Sequence, residues 1–370
     1  MTSSDLPFLE HVSPGVRALT PYVPGKPIAE LERELGISHS IKLASNENPL
    51  GVSSKVTQAI NEVMTEVARY PDGSGFELRQ RLAQKHQLDP SAITLGNGSN
   101  DVLDMVARVF LTPGSESLFS EYAFAVYPIS SQAAGAKLVA APAKNYGHDL
   151  DAMLQRISAN TRVVWIANPN NPTGTWLSET VLYSFLKKVP ENTIVVMDEA
   201  YLEYVQEADY PDASLWLDEF PNLVVTRTFS KAYGLASLRV GYAISHSVIA
   251  DMLNRVRQPF NVNSMAQVAA LAALDDQGFI KQSVTLNNAG MTQLCEGFSS
   301  LGLSYIPSVG NFIALDLQQN ASNIDQALLR LGCIARPLSG YGMPNHLRIS
   351  IGLEEENQRL LTALKEVLQQ

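Results

Sequence analysis

Six short runs in the middle of the chain are apolar almost throughout: residues 117–119, 137–140, 162–166, 193–197, 223–226 and 240–244. Each has the length of a strand, and continuous apolar character is what a strand buried on both faces shows. Stretches of helical period lie between and before them. In residues 101–110, Val102, Met105, Val106 and Val109 share one face, with Leu103 and Phe110 beside it. Residues 53–68 and 77–86 read as two more helices. Another is expected between the runs ending at Ile166 and beginning at Thr193, with Ser178 as N-cap and Pro190 stopping it. Strand, helix, strand at this spacing predicts an α/β fold built on a mostly parallel sheet covered on both sides.

The two ends differ from the middle. Pro14, Gly15, Pro21, Pro24, Gly25 and Pro27 break up the start, and only residues 28–35 look helical there. After Val262 longer helical stretches dominate, ending in an amphipathic helix carrying Leu360, Leu361, Leu364, Val367 and Leu368. The predicted organisation is an N-terminal arm (1–50) that joins a small C-terminal domain (262–370), with a large domain (51–261) between them. A chain of 370 residues is long enough for two cores.

Composition narrows the choice of partners. The net charge of −10 argues against nucleic acid and anionic membranes. The two cysteines, Cys295 and Cys333, form no CxxC pair, which fits a reducing compartment. Met1 to Glu10 lacks the cationic and apolar pattern of a leader, and no run approaches the ~20 apolar residues of a membrane span. The expected location is the cytoplasm. The six histidines show no metal-ligand spacing, so no metal is expected.

The chemistry gathers where strands end, as it does in open α/β sheets. One run leads into Asn168-Pro169-Asn170-Asn171-Pro172-Thr173-Gly174, the next into Asp198-Glu199-Ala200-Tyr201, and the next into Thr228-Phe229-Ser230-Lys231. Taken singly, these are a turn, a helix cap and a loop charge. Together, Asp198, Asn168 with Tyr201, and Lys231 form the set that a pyridine aldehyde needs: a carboxylate for the ring nitrogen, neutral donors for the ring oxygen, an amine for the aldehyde. Gly96-Asn97-Gly98-Ser99-Asn100 opens a helix and can present backbone N–H groups to an anion. Arg239, with Thr228 and Ser230, can complete a phosphate cup.

These runs resemble the fold-type-I pyridoxal-phosphate (PLP) aminotransferases. The resemblance extends to the histidinol-phosphate aminotransferase family through residues 43–51 (Leu-Ala-Ser-Asn-Glu-Asn-Pro-Leu-Gly), 69–72 (Arg-Tyr-Pro-Asp), 257–263 (Arg-Gln-Pro-Phe-Asn-Val-Asn) and 347–352 (Leu-Arg-Ile-Ser-Ile-Gly), and it covers nearly the whole chain. It implies that Lys231 captures the cofactor and then moves the substrate proton. Asp198 would pair with the ring nitrogen, and Asn168 and Tyr201 with the ring oxygen. Gly98, Ser99, Asn100, Thr228, Ser230 and Arg239 would surround the phosphate. Phe124 would stack on the ring, with Tyr122 as the alternative. Tyr70 would reach the neighbouring subunit's site, which implies a homodimer. Arg348 would grip the carboxylate of glutamate or 2-oxoglutarate, Arg336 the phosphate of histidinol phosphate, and Tyr22 would close over the substrate. The implied reaction is ping-pong transamination in histidine biosynthesis. Aromatic amino acid transamination and threonine-phosphate decarboxylation remain open on the same residues.

Overall fold

The computed structural model describes residues 7–22 and 24–369. Met1 to Leu6, part of the stretch over which no leader pattern was expected, and Val23 of the arm lie outside the described residues.

Seven strands form the main sheet: β1 (Ile93–Gly96), β2 (Glu116–Ser120), β3 (Lys137–Ala141), β4 (Thr161–Ala167), β5 (Ile194–Asp198), β6 (Leu223–Thr228) and β7 (Gly241–Ser245). Their order is β1-β7-β6-β5-β4-β2-β3. β7 runs antiparallel to both neighbours, and the other pairings are parallel. The predicted α/β architecture with a mostly parallel sheet is thus the observed one. β1, which the apolar runs did not single out, is the addition.

Successive residues of the central strands bury on opposite faces, as the period of two requires. Val164, Ile166, Val195, Met197 and Val225 join one core, which the helices Phe76–His86, Glu179–Leu186 and Ser264–Leu274 cover. Val163, Trp165, Val196 and Val224 join another, under the helix Ser99–Phe110. Ser178 is the N-cap of Glu179–Leu186 as predicted, although its hydroxyl makes no capping bond, and that helix stops before Pro190. The predicted helix over 53–68 is shorter, Ser54–Val63, and tightens into a 3-10 turn at Met64–Glu66.

A four-stranded sheet lies later in the chain, in the order Ser304–Ile306, Phe312–Asp316, His346–Ser350, Arg336–Pro337, with antiparallel pairings. Ile313, Leu315, Leu347 and Ile349 pack there against Leu294 and Phe298 of the long helix Gln277–Ser300 and Leu360 and Leu364 of Glu354–Leu368. The short strand Ile41–Lys42 pairs in parallel with Cys333–Ile334, and the Leu43 carbonyl accepts from the Ser350 N–H. The start of the chain is therefore hydrogen-bonded to its last third. No helix among the described residues is long and apolar enough to cross a membrane.

Candidate active site

One pocket collects side chains from every part of the chain: Tyr22, Ser45 and Asn46 near the start, Ser99 and Asn100 at a helix N-terminus, Asn171, Asp198, Tyr201, Thr228, Ser230 and Lys231 beyond the ends of β4, β5 and β6, and Arg336 and Arg348 from the second sheet. The registers Ala167↔Asp198 and Asp198↔Thr226 align these strand ends.

Asp198 is 5% exposed and held by two hydroxyl donors. Tyr127 Oη donates to Oδ2 at 2.8 Å and Thr226 Oγ1 to Oδ1 at 3.0 Å. The Tyr127 ring stacks on Trp165, with centroids 5.2 Å apart, and Trp165 Nε1 donates to Ser117 Oγ. Burial pushes the Asp198 carboxyl above its usual range, and the Tyr127, Thr226 and Ala200 donors pull it back part of the way. Burial brings the Lys231 amine down to about 7, and Arg348 adds to the effect. Lys231 Nζ donates to the Ser45 carbonyl at 3.0 Å. An amine titrating near neutrality is a nucleophile and a proton carrier at working pH.

Burial raises the Tyr201 hydroxyl to about 12, so it is a neutral donor. Arg348 is buried under Asn171 Oδ1 (2.5 Å to Nη1) and the Ala44 carbonyl (2.8 Å to Nη2). Among the described residues its Nε has no partner and no carboxylate pairs with it. A buried guanidinium with an unmet donor suits an incoming carboxylate. Arg336 lies with its guanidinium 5.4 Å from the Tyr22 ring centroid.

On the phosphate side, Gly98 has φ +81°, and a Cβ there would come within 2.4 Å of Arg239 Nη2. Glycine is thus required both for the turn and for the close approach of the cation. The helix Ser99–Phe110 has no side-chain N-cap, so its first N–H groups stay available to an anion. Arg239 Nη1 donates to Ser230 Oγ at 3.2 Å. Together with Asp198, Tyr201 and Lys231, this donor set fits a phosphorylated pyridine aldehyde.

One predicted placement changes. Asn168 does not face the pocket, because its side chain clamps the Leu177 backbone, accepting from its N–H at 2.8 Å and donating to its carbonyl at 3.1 Å. Asn171, three residues on in the same turn, takes the place, with Nδ2 at 3.2 Å from Tyr201 Oη. Of the two candidate stacking rings, Phe124 lines the pocket, while Tyr122 packs against Tyr146 at 5.6 Å. Tyr70 is 81% exposed, stacked on Phe260 and outside this chain's own pocket. Residues 43–51 had been singled out only as a family signature, yet Ser45 and Asn46 line the pocket. Tyr127, which donates to Asp198, has no role assigned from the sequence.

The model of the family "Aminotransferase class I and II" matches residues 38–364. The chain belongs to the aminotransferase class I and II family. Within it, the chain is 59% identical over 363 residues to histidinol-phosphate aminotransferase 2 of Pseudomonas aeruginosa, covering 98% of each chain. It is 57% identical to histidinol-phosphate aminotransferase 2 of Methylococcus capsulatus, over 96% of this chain and 97% of that one. The solved histidinol-phosphate aminotransferase of Sinorhizobium meliloti, a complex with pyridoxal-5′-phosphate, superposes with a TM-score of 0.87 at 28% identity, covering 96% of this aminotransferase and 97% of that chain. Aspartate aminotransferase from Thermus thermophilus shares the fold, with a TM-score of 0.83 at 21% identity over 96% of this chain and 99% of that one.

Proposed function

We propose that this aminotransferase transfers the amino group of histidinol phosphate to 2-oxoglutarate, giving imidazole-acetol phosphate and glutamate in histidine biosynthesis, with PLP as cofactor. The observation that carries the reading is Lys231, an amine brought to about 7 in a pocket that the buried Asp198 also lines. The names of the relatives at 57–59% identity support the substrate.

PLP supplies an aldehyde that takes up the amino group and a ring that accepts the electron pair left at the substrate Cα. Asp198, whose ionised form the Tyr127 and Thr226 hydroxyls favour, would hold a proton on the ring nitrogen. Tyr201 and Asn171, which line the same pocket, would be neutral donors to the ring oxygen. Gly98, Ser99, Asn100, Thr228, Ser230 and Arg239 would hold the phosphate, and Phe124 would stack on the ring. Lys231, an amine titrating near neutrality, would be the base that takes the proton from the substrate Cα and gives it back. Arg348 fixes the carboxylate of the keto acid, and Arg336 the phosphate of histidinol phosphate, under Tyr22. Two cationic anchors let one pocket take the two substrates in turn.

The chain works as two units that part near Asp275 and Asp276, later than residue 262, since the helix Ser264–Leu274 packs on the first core. The functional form is a cytoplasmic homodimer in which Tyr70 serves the neighbouring site. Its exposure, with that of Met64, Val67, Phe76 and Phe260, fits burial against a second copy.

The test is single-turnover absorbance. PLP-loaded protein is mixed with histidinol phosphate without a keto acid. Rapid loss of the bound cofactor's visible band, restored by 2-oxoglutarate, is the expected result. Response to phenylalanine alone would move the substrate to aromatic amino acids. Release of CO2 from threonine phosphate would replace amino transfer by decarboxylation.

A further inference from the structure

Tyr201 Oη lies between two side-chain amides whose orientations are fixed by their other partners. Arginine only donates, so Asn171 turns its oxygen to Arg348 Nη1 and its nitrogen to Tyr201. On the other side, Ser350 Oγ receives the Asn46 backbone N–H at 2.7 Å, so its own proton goes to Asn46 Oδ1 at 3.0 Å. That turns Asn46 Nδ2 onto Tyr201 Oη, at 2.9 Å and across 155 residues of sequence. With two N–H donors aimed at its oxygen, the Tyr201 hydroxyl has only the pocket left for its proton.

Asn46 is built for this position. It is 1% exposed, and its carbonyl accepts from Asn311 Nδ2 at 3.0 Å. Its φ of +54° is one that glycine adopts without cost and asparagine tolerates. The residue present is the one that keeps this backbone and adds an amide.

We infer that Asn46, held by Ser350, is a positioning residue that aims the Tyr201 proton into the pocket. The inference rests on the reading that Tyr201 donates to the cofactor's ring oxygen. Without the Asn46 amide the hydroxyl can rotate out of the pocket, and the negative charge on that ring oxygen loses part of its stabilisation. The Lys231–cofactor linkage then holds its proton more tightly, and the pH midpoint of the visible absorbance rises.

The experiment measures that midpoint in PLP-loaded wild type, Asn46→Ala, Ser350→Ala, Tyr201→Phe and the double variant Asn46→Ala/Tyr201→Phe. Loss of one neutral hydrogen bond corresponds to an upward shift of roughly 0.5–1 pH unit in Asn46→Ala. Ser350→Ala, which removes only the clamp on Asn46, shifts it less and in the same direction, and serves alone if Asn46→Ala does not fold. The double variant should match Tyr201→Phe. An unchanged midpoint in Asn46→Ala and Ser350→Ala, or a further shift of the same size in the Tyr201→Phe background, overturns the inference while leaving the role of Tyr201 intact. An unchanged midpoint in Tyr201→Phe removes the role of Tyr201 and this inference with it.

Discussion

Replacing Tyr127 with Phe isolates one hydroxyl. The Tyr127 ring stacks on Trp165 at an interplanar angle of 10°, and phenylalanine keeps that packing. What is lost is the 2.8 Å bond to Asp198 Oδ2, a buried bond to a charged acceptor. Such bonds contribute about 1.5–3 kcal/mol, which is roughly 10- to 150-fold in an equilibrium. Thr226 remains on the other oxygen, so a loss near the lower end is expected: kcat falls by roughly 10- to 30-fold. The sign with pH follows. Burial already holds the Asp198 carboxyl high, and losing a donor that pulls it down raises it further. The ionised form that holds the ring-nitrogen proton is then lost at a higher pH as the solution is acidified, and the acidic limb of kcat moves up. Steady-state kinetics from pH 5 to 9 with saturating PLP read both effects. A variant with full cofactor, kcat within twofold of wild type and an unmoved acidic limb would refute the reasoning.

Other substitutions probe the remaining contacts. Gly98→Ala puts a Cβ 2.4 Å from Arg239 Nη2 at φ +81°, so PLP affinity should fall by roughly tenfold or more; equilibrium fluorescence titration of the apoprotein reads it. Arg336→Ala should raise KM for histidinol phosphate far more than KM for glutamate, and equal losses would count against its role. Arg348→Lys loses the planar fork and its bond to the Ala44 carbonyl, so KM for 2-oxoglutarate should rise by roughly 10- to 100-fold with a smaller change in kcat. In the apoprotein, Lys231 titrates near 7 when folded and near 10.5 when unfolded. The unfolded chain therefore binds the extra proton, and stability from this group falls as pH drops from about 10.5 to 7 and is level below that. Lys231→Met should accordingly stabilise the apoprotein more at pH 6 than at pH 9.5 in thermal melts.

The central sheet was legible because its strands are buried on both faces: Val163 to Ala167 and Ile194 to Met197 are apolar runs with nowhere else to go. β1 escaped notice, since Ile-Thr-Leu-Gly is short and ends in the glycine of the following turn. The strands Phe312–Asp316 and His346–Ser350 were masked by the helices around them. Residues at strand ends, Asp198 and Lys231 among them, were readable from position and type. Asn171 was not separated from Asn168, because which asparagine of a tight turn faces inward depends on the Leu177 backbone folded against it. Tyr127 escaped notice because it is a core residue with only its hydroxyl at work. Asn46 carried no local signal for its contact, since its partners Tyr201 and Ser350 lie 155 and 304 residues away.

The central claim is that Lys231 is the amine that takes the cofactor. Borohydride reduction of the PLP-loaded protein, followed by digestion and mass mapping, tests it directly. The account predicts one phosphopyridoxyl group per chain, on the peptide containing Lys231, and none in Lys231→Ala. A label on any other lysine as the main product, or an undiminished label in Lys231→Ala, would contradict it.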